Sequence, residues 1–414
     1  MRAPSIPDSG AWRFALWGLV ILLGLGQLQR VDSRIFSQPV TFYFHDIFIC
    51  GWLIAMVATQ ADRISRYFSQ LKQLEWRRLV LWQKLGLILL GWTAGGVILQ
   101  FFTQFSLTPL LYIARLATYC AFALTLPLVF QKPIEKVDLR ERPLIAGIVI
   151  AVAGLLQYFF LPDTRFLSVF GWDDHYYRLI STLLDPSFTG IILVVSWCYL
   201  RSISWIEKHP LLLFSLHGLL AVAIGLTFSR ASYLAFGIAL FLGLMAIKEK
   251  TRVNLNRGAI IFSAIACVLA LALAPKPTGE GVNLARTSTI TSRTTNSWEN
   301  LQQFSVKTWI VGNGLFSSAA LKTQDRAGVI DHARVPDSLP ILLVQALGLP
   351  GLVLIFLLLA SGLPHLWKAD PWYAIALVAV LIHANFNNTL FEPFVGLFLL
   401  LGAASWLRLE RNHE

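Results

Sequence analysis

Charge is scarce in this sequence: 14% of its 414 residues are Asp, Glu, Lys or Arg, while 56% are hydrophobic, and the mean hydropathy is +0.63. A water-soluble globule of this length cannot cover its surface from so small a polar supply, so a soluble enzyme is excluded and a bilayer must act as the main solvent. Cysteine is scarce too. Cys50, Cys120, Cys198 and Cys267 each fall inside an apolar run, where a thiol packs as a small apolar group, so neither a disulfide framework nor a zinc site is indicated. No P-loop, dinucleotide-binding glycine pattern, zinc motif or nucleophile elbow is present, which removes support for ATP-driven, redox and serine-hydrolase chemistry and calls for no cofactor. Arg2 and Arg13 precede the first apolar run as in a signal peptide, but Gln27, Leu28, Gln29 and Arg30 after it offer no small-x-small cleavage site. The segment is read as a retained helix.

What the sequence has in abundance is apolar runs long enough to cross about 30 Å of hydrocarbon. They fall near 11–29, 39–59, 84–102, 108–130, 143–161, 187–201, 210–228, 231–247, 259–274, 348–364, 372–390 and 392–407. The fold class expected is therefore an all-α polytopic membrane protein of about twelve transmembrane helices, one integral membrane domain over 1–414, with a large loop at 275–337 between the ninth and tenth helices. The runs at 210–228 and 231–247 would exceed any bilayer as one helix, so a turn is placed at Phe228, Ser229 and Arg230. Lysine and arginine crowd one set of alternate connections, among them Arg63, Arg77, Arg78, Arg140, Arg142 and Lys368. That asymmetry puts both termini in the cytoplasm and makes the net charge of +11 mainly a topology signal directed at membrane lipids, with no nucleic-acid partner.

The opposite face holds the loop 162–186, the turn at 228–230, the long loop 275–337 and the helix ends from His383 to Glu392. Within the long loop, Trp298, Phe304 and Trp309 are spaced as in a packed amphipathic helix. Arg178 in HYYRLISTLLDPSFTG, Arg230 in LTFSRASYLAF and Arg293 in SRTTNSWENLQQF all lie at this face. Singly, each reads equally as a snorkelling or structurally paired interfacial arginine. Together, three guanidinium forks suit a phosphate or pyrophosphate, because each binds two anionic oxygens and stays charged at any relevant pH. His332 and Asp337, in DHARVPDSLPILLVQALGLPG, are alternative proton acceptors, and Asp337 reads equally as a helix cap. Asp173, Asp174 and His175 form the densest carboxylate and histidine cluster and could supply ligands to Mg²⁺ or Mn²⁺. The reading favoured is that no metal is bound. Within the spans, Asp46 and Arg115 are the notable ionisable groups.

RLISTLLDPSFTG before a span, the LTFSRA turn, the run from Arg293 through Trp298 to Gly312 and Gly314, and DSLPILLVQALGLPG resemble, in that order, segments of the O-antigen ligase and O-antigen polymerase family of bacterial envelope glycosyltransferases. The resemblance extends over residues 100 to 400. It implies a GT-C-like membrane fold in the bacterial inner membrane, with the 275–337 loop in the periplasm. It also implies metal-independent, inverting transfer of a glycan from undecaprenyl pyrophosphate to an acceptor hydroxyl, on lipid A core for a ligase or on another lipid-linked glycan for a polymerase. Arg178, Arg230 and Arg293 match the family's arginines. Where many members have histidine and asparagine, this chain has Asp337 and Ser338, eleven residues before Gly348, so either His332 substitutes from five residues upstream, or Asp337 is the base, or the activity has diverged from the family's. A transporter or flippase of a lipid-linked solute is the alternative from another class, with ionisable pairs or broken helices near mid-membrane as its mark.

Overall fold

The computed structural model describes residues 9–35, 38–72, 75–103, 106–130, 133–203, 205–247, 253–277, 281–317 and 336–406. Apolar helices stand at all twelve expected positions: α1 Ser9–Leu25, α2 Phe44–Lys72, α3 Leu81–Thr103, α4 Leu107–Val129, α5 Pro133–Phe160, α6 Pro186–Leu200, α7 Pro210–Leu226, α8 Arg230–Ala246, α9 Val253–Leu273 and, after two helices of the long loop, three more. Among the described residues the loop helices are α10 Ser288–Gln302 and α11 Val306–Ile310; the last three helices are α12 Leu339–Ala369, α13 Pro371–His383 and α14 Pro393–Trp406. Seven of these (α1 to α5, α9 and α12) are long and apolar enough to cross a membrane, and α6, α7, α8, α13 and α14 are shorter apolar helices. The chain is a multi-pass membrane protein.

The packing order follows from helix composition. α6 carries no charge and is apolar on every side, so it suits only an interior position. All of it except Ser187 and Phe188 is buried, and it packs against α5, α7, α8, α13 and α14. α3 is its opposite. Gln100 is its one buried residue among those described, while Leu81, Leu90 and Phe102 are 63%, 66% and 79% exposed, an apolar surface that only lipid can wet. At the ends of the bundle opposite the long loop, two close ion pairs join the helices: Arg140 meets Asp370 at 2.5 Å and Arg201 meets Glu207 at 3.1 Å.

Three features depart from the sequence reading. Two antiparallel strands, β1 Arg30–Ile35 and β2 Gln38–Tyr43, pair with Arg30 opposite Tyr43; β2 therefore takes the start of what was read as the second span. The aromatic spacing in the long loop belongs to two helices, Trp298 to α10 and Trp309 to α11, with Phe304 between them edge-on to Trp309 at 5.5 Å. The tenth span starts nine residues early, at Leu339, and is broken at Gly348, whose φ of 71° and ψ of 175° are not helical.

The break shows why the two glycine motifs occur in one chain. Interrupting a helix strands the carbonyls of the preceding turn, and in an apolar interior each needs a donor. Asn313 N donates to Gln345 O at 2.7 Å, Gly314 N to Ala346 O at 3.0 Å, and Trp92 Nε1 to Leu347 O at 2.8 Å. The approach is backbone on backbone. A Cβ on Gly312 (φ 81°) would lie 2.4 Å from Ala346 O, and one on Gly348 would lie 2.5 Å from Ile310 O. The loop after α11 is thus docked against the break in α12.

Gly348→Ala combines a left-handed backbone, at about 1–2 kcal/mol, with a backbone clash. Thermal unfolding in detergent is expected to show it severely destabilised, whereas Gly95→Ala, in α3 with nothing within 4 Å of its added Cβ, leaves the midpoint unchanged or raised. Trp92→Phe is expected to cost about 1 kcal/mol through the lost bond to Leu347 O.

Candidate functional site

Hydrogen bonds gather the loops at one end of the bundle. Leu179 N bonds to Leu226 O, and Leu339 N bonds to Ala384 O. Thr182 Oγ1 donates to Gly24 O. These contacts bring the ends of α1, α7 and α13 and the starts of α8 and α12 to one loop face.

The turn between α7 and α8 is as tight as the sequence demands: α7 ends at Leu226 and α8 begins at Arg230. Phe228 is buried with φ 52°, so this turn carries strain that its surroundings must hold. Arg178 holds it. Its Nε donates to Thr227 O at 3.1 Å and its Nη2 to Phe228 O at 3.2 Å, and Ser229 caps α8 by accepting from Ser232 N. Burial lowers the Arg178 guanidinium to about 10, with the Arg286 charge adding to the effect and Asp185 opposing it; it remains a cation at neutral pH.

Arg230, delivered at the first position of α8, donates through Nη1 to Arg286 O at 2.8 Å. Arg293 projects from α10, donates to Phe386 O, and has Nε 3.8 Å from Asp337 Oδ2. Ser338 occupies the N-cap position of α12 without a side-chain cap bond, so Asp337 stands one residue ahead of that position. Arg230, Arg293 and Asp337 line one cleft of about 600 Å³, together with Trp298, Asn385 and Phe386 and apolar wall from Leu234, Leu301 and Ile341. At 3.8 Å and with both side chains about a third exposed, the Arg293–Asp337 pair is a loose ion pair worth little to stability. Two guanidinium groups and one carboxylate on an apolar-walled cleft have the chemistry to hold an anion attached to an apolar chain.

Of the residues expected at the site, Arg230, Arg293 and Asp337 are brought together, and Arg178 is not among those lining the cleft. It sits behind the turn that presents Arg230. His332 lies outside the described residues, as do Asp331 and Arg334. Asp173 and His175 come together with Asp185 rather than with Asp174, with one potential ligand atom from each within 4.8 Å of the others. Asp185 spends one oxygen on the amides of Ser187 and Phe188 at the start of α6, at 2.7 and 2.8 Å. The charges of Arg178 and Arg286 act on His175 and oppose a further cation there.

A buried polar network lies beside the cleft. His383 is fully buried, with Nδ1 2.6 Å from Thr389 Oγ1 and Nε2 3.2 Å from Ser232 Oγ; Ser232 Oγ in turn reaches Ser229 Oγ at 2.8 Å. It ties the first turn of α8, which bears Arg230, to the end of α13, whose next residues Asn385 and Phe386 line the cleft. Sequence reasoning noted His383 only as a helix end, and passed over Arg286, whose carbonyl receives Arg230. The one available signal was polarity at the ends of apolar runs, and it does not say which ends meet. Comparison with known protein families, curated proteins and solved structures finds no match to this chain.

Burial, with the charges of Arg178 and Arg286, lowers His175 from 6.5 to about 3. The unfolded chain therefore binds a proton at higher pH than the folded one, and stability present above pH 6.5 is lost as pH falls toward 3. At pH 5 the loss is about 2 kcal/mol. Unfolding of wild type and His175→Gln between pH 7 and pH 5 is expected to show a shallower acid loss in the variant; parallel curves would remove His175 as the cause.

Proposed function

We propose that this chain is a glycosyltransferase of the O-antigen ligase and polymerase type, moving a glycan from undecaprenyl pyrophosphate to a sugar hydroxyl on a lipid-linked acceptor at the periplasmic face of the bacterial inner membrane, with both termini in the cytoplasm and twelve crossings. The observation that carries it is the convergence of Arg230 and Arg293 with Asp337 in one apolar-walled cleft, from α8, α10 and the approach to α12. The chemistry follows from those groups. A carboxylate at Asp337, or the imidazole of His332, takes the proton of the acceptor hydroxyl. The freed oxygen attacks the anomeric carbon from the face opposite the leaving group, forming one C–O bond as the bond to the pyrophosphate oxygen breaks, with inversion. Charge building on the departing pyrophosphate is met by Arg230 and Arg293, so no metal is required to neutralise it. Arg178 serves this scheme through position, by holding the turn that aims Arg230.

A ligase and a polymerase differ only in the acceptor, and the ligase is the form we adopt. A flippase for lipid-linked glycans is the second reading, favoured by the break of α12 at Gly348, since transporters use interrupted helices at their substrate sites. The seal on that break, backbone of the loop on backbone of the helix, supports a fixed scaffold more than a moving gate.

Reconstitution with an undecaprenyl pyrophosphate glycan and candidate acceptors tests the proposal. Arg230→Ala and Arg293→Ala are each expected to lower transfer by about 100- to 1,000-fold while remaining folded, and turnover is expected to survive EDTA. Wild-type turnover by both folded variants would sink the pyrophosphate site. Loss in Asp337→Asn with His332→Ala unaffected assigns the base to Asp337; the reverse assigns it to His332.

A further inference from the structure

A second cavity on the loop face lies apart from the arginine cleft. It is a groove of about 330 Å³ between α2 and α4, closed at one end by β2, within the range of small-ligand sites, about 300–1,000 Å³. Ile47, Cys50, Leu111 and Ala114 line it, and Ile47, Cys50 and Ala114 are exposed, so the groove opens toward lipid. Its closed end is polar. Arg115 Nη2 meets Asp46 Oδ2 at 2.9 Å, with the two side chains 12% and 14% exposed, and Tyr119 Oη donates to the other Asp46 oxygen at 2.5 Å.

An ion pair set in a membrane helix is expensive and marks a site by default. Here its geometry is heavily determined: the Arg115 guanidinium lies 5.4 Å from both the Tyr43 and Tyr112 rings and also donates to Thr41 O. Paired, it has no net charge, so this groove does not select an anion as the cleft of Arg230 and Arg293 does. An aromatic-flanked pair of hydrogen-bonding charges at the end of an apolar channel fits a sugar hydroxyl on a hydrocarbon chain. The groove is also linked to the cleft. Tyr112 packs against Phe316 at 5.6 Å, and Phe316 belongs to the same loop segment, 281–317, that carries Arg293.

We infer that the groove between α2 and α4 holds a second lipid substrate, a glycolipid whose chain lies along Ile47, Cys50 and Ala114 and whose sugar lies at Asp46 and Arg115. As the acceptor of the transfer it rests on the function proposed above; as a lipid site it stands on the groove alone. Two membrane-anchored substrates need separate openings to the bilayer, one selecting phosphate charge and one not.

The test uses the full chain in phosphatidylcholine nanodiscs with a photoactivatable dodecyl glucoside, mapping adducts by peptide mass spectrometry. Adducts are expected on the α2 and α4 peptides and not to be displaced by an isoprenoid pyrophosphate. Ala114→Trp and, as a second variant, Cys50→Trp are expected to lower them by about tenfold or more, as a bulky ring fills the space the chain needs, with unchanged thermal unfolding. In the transfer assay both are expected to lose activity. Adducts spread evenly over α3 and α9, or unaffected by both folded variants, overturn the groove. Variants that lose the adduct yet transfer glycan at the wild-type rate overturn its role as acceptor site. A wild-type chain that takes the adduct but transfers no glycan overturns the transferase reading and leaves the lipid groove standing.

Discussion

In hydrocarbon, every backbone N–H and C=O must find its partner inside the protein, and this requirement governs the structure wherever a helix stops or breaks. Three such places form the loop face. At the turn after α7, the guanidinium of Arg178 takes the carbonyls of Thr227 and Phe228. At Gly348, the amides of Asn313 and Gly314 and the indole of Trp92 take the three carbonyls that the broken helix leaves over. At the start of α12, the amide of Leu339 takes the carbonyl of Ala384. Each repair draws a distant segment into place, and together they set Arg230, Arg293 and Asp337 around one cleft.

The two ends of the bundle use charge differently. At the end away from the long loop, Arg140 and Asp370, and Arg201 and Glu207, are buried as close pairs, which satisfies charges that would otherwise be costly to bury. At the loop face, Arg293 and Asp337 stand 3.8 Å apart at the edge of a cleft, loose enough for an anion to compete. The close pairs at the far end hold helices together, whereas the loose Arg293–Asp337 pair borders an apolar-walled cleft; the tight Asp46–Arg115 pair at the loop face gains its interest from the lipid-facing groove it ends, not from its spacing.

Much of the fold was legible because membrane helices announce themselves by run length, and an apolar helix stands at each of the twelve positions. The tight turn at Phe228 was legible from length alone. The pairing of β1 with β2 was not, since Val40 and Phe42 read as the beginning of an apolar span. The start of α12 was legible only in part, because Asp337 reads as a cap of the following helix while the apolar run is begun at 348, and hydropathy cannot register the break at Gly348. For the site, Arg230 and Arg293 could be named as interfacial arginines, but Arg178 looked the same in sequence and is committed to backbone carbonyls. Whether a guanidinium faces a cleft or a turn depends on what packs over it.

What the sequence by itself determined is the solvent and the segmentation: scarce charge requires a bilayer, and apolar run length sets where helices stand. Only the tertiary structure decided which polar residues share a site. Hydropathy is a property of each segment alone, whereas the meeting of α8, α10 and α12 depends on helix breaks whose stranded carbonyls are satisfied by residues far away in the chain. Asp46 and Arg115 show the same division. In sequence they are two costly charges in separate spans; in the fold they are one neutral pair at the end of a lipid-facing groove.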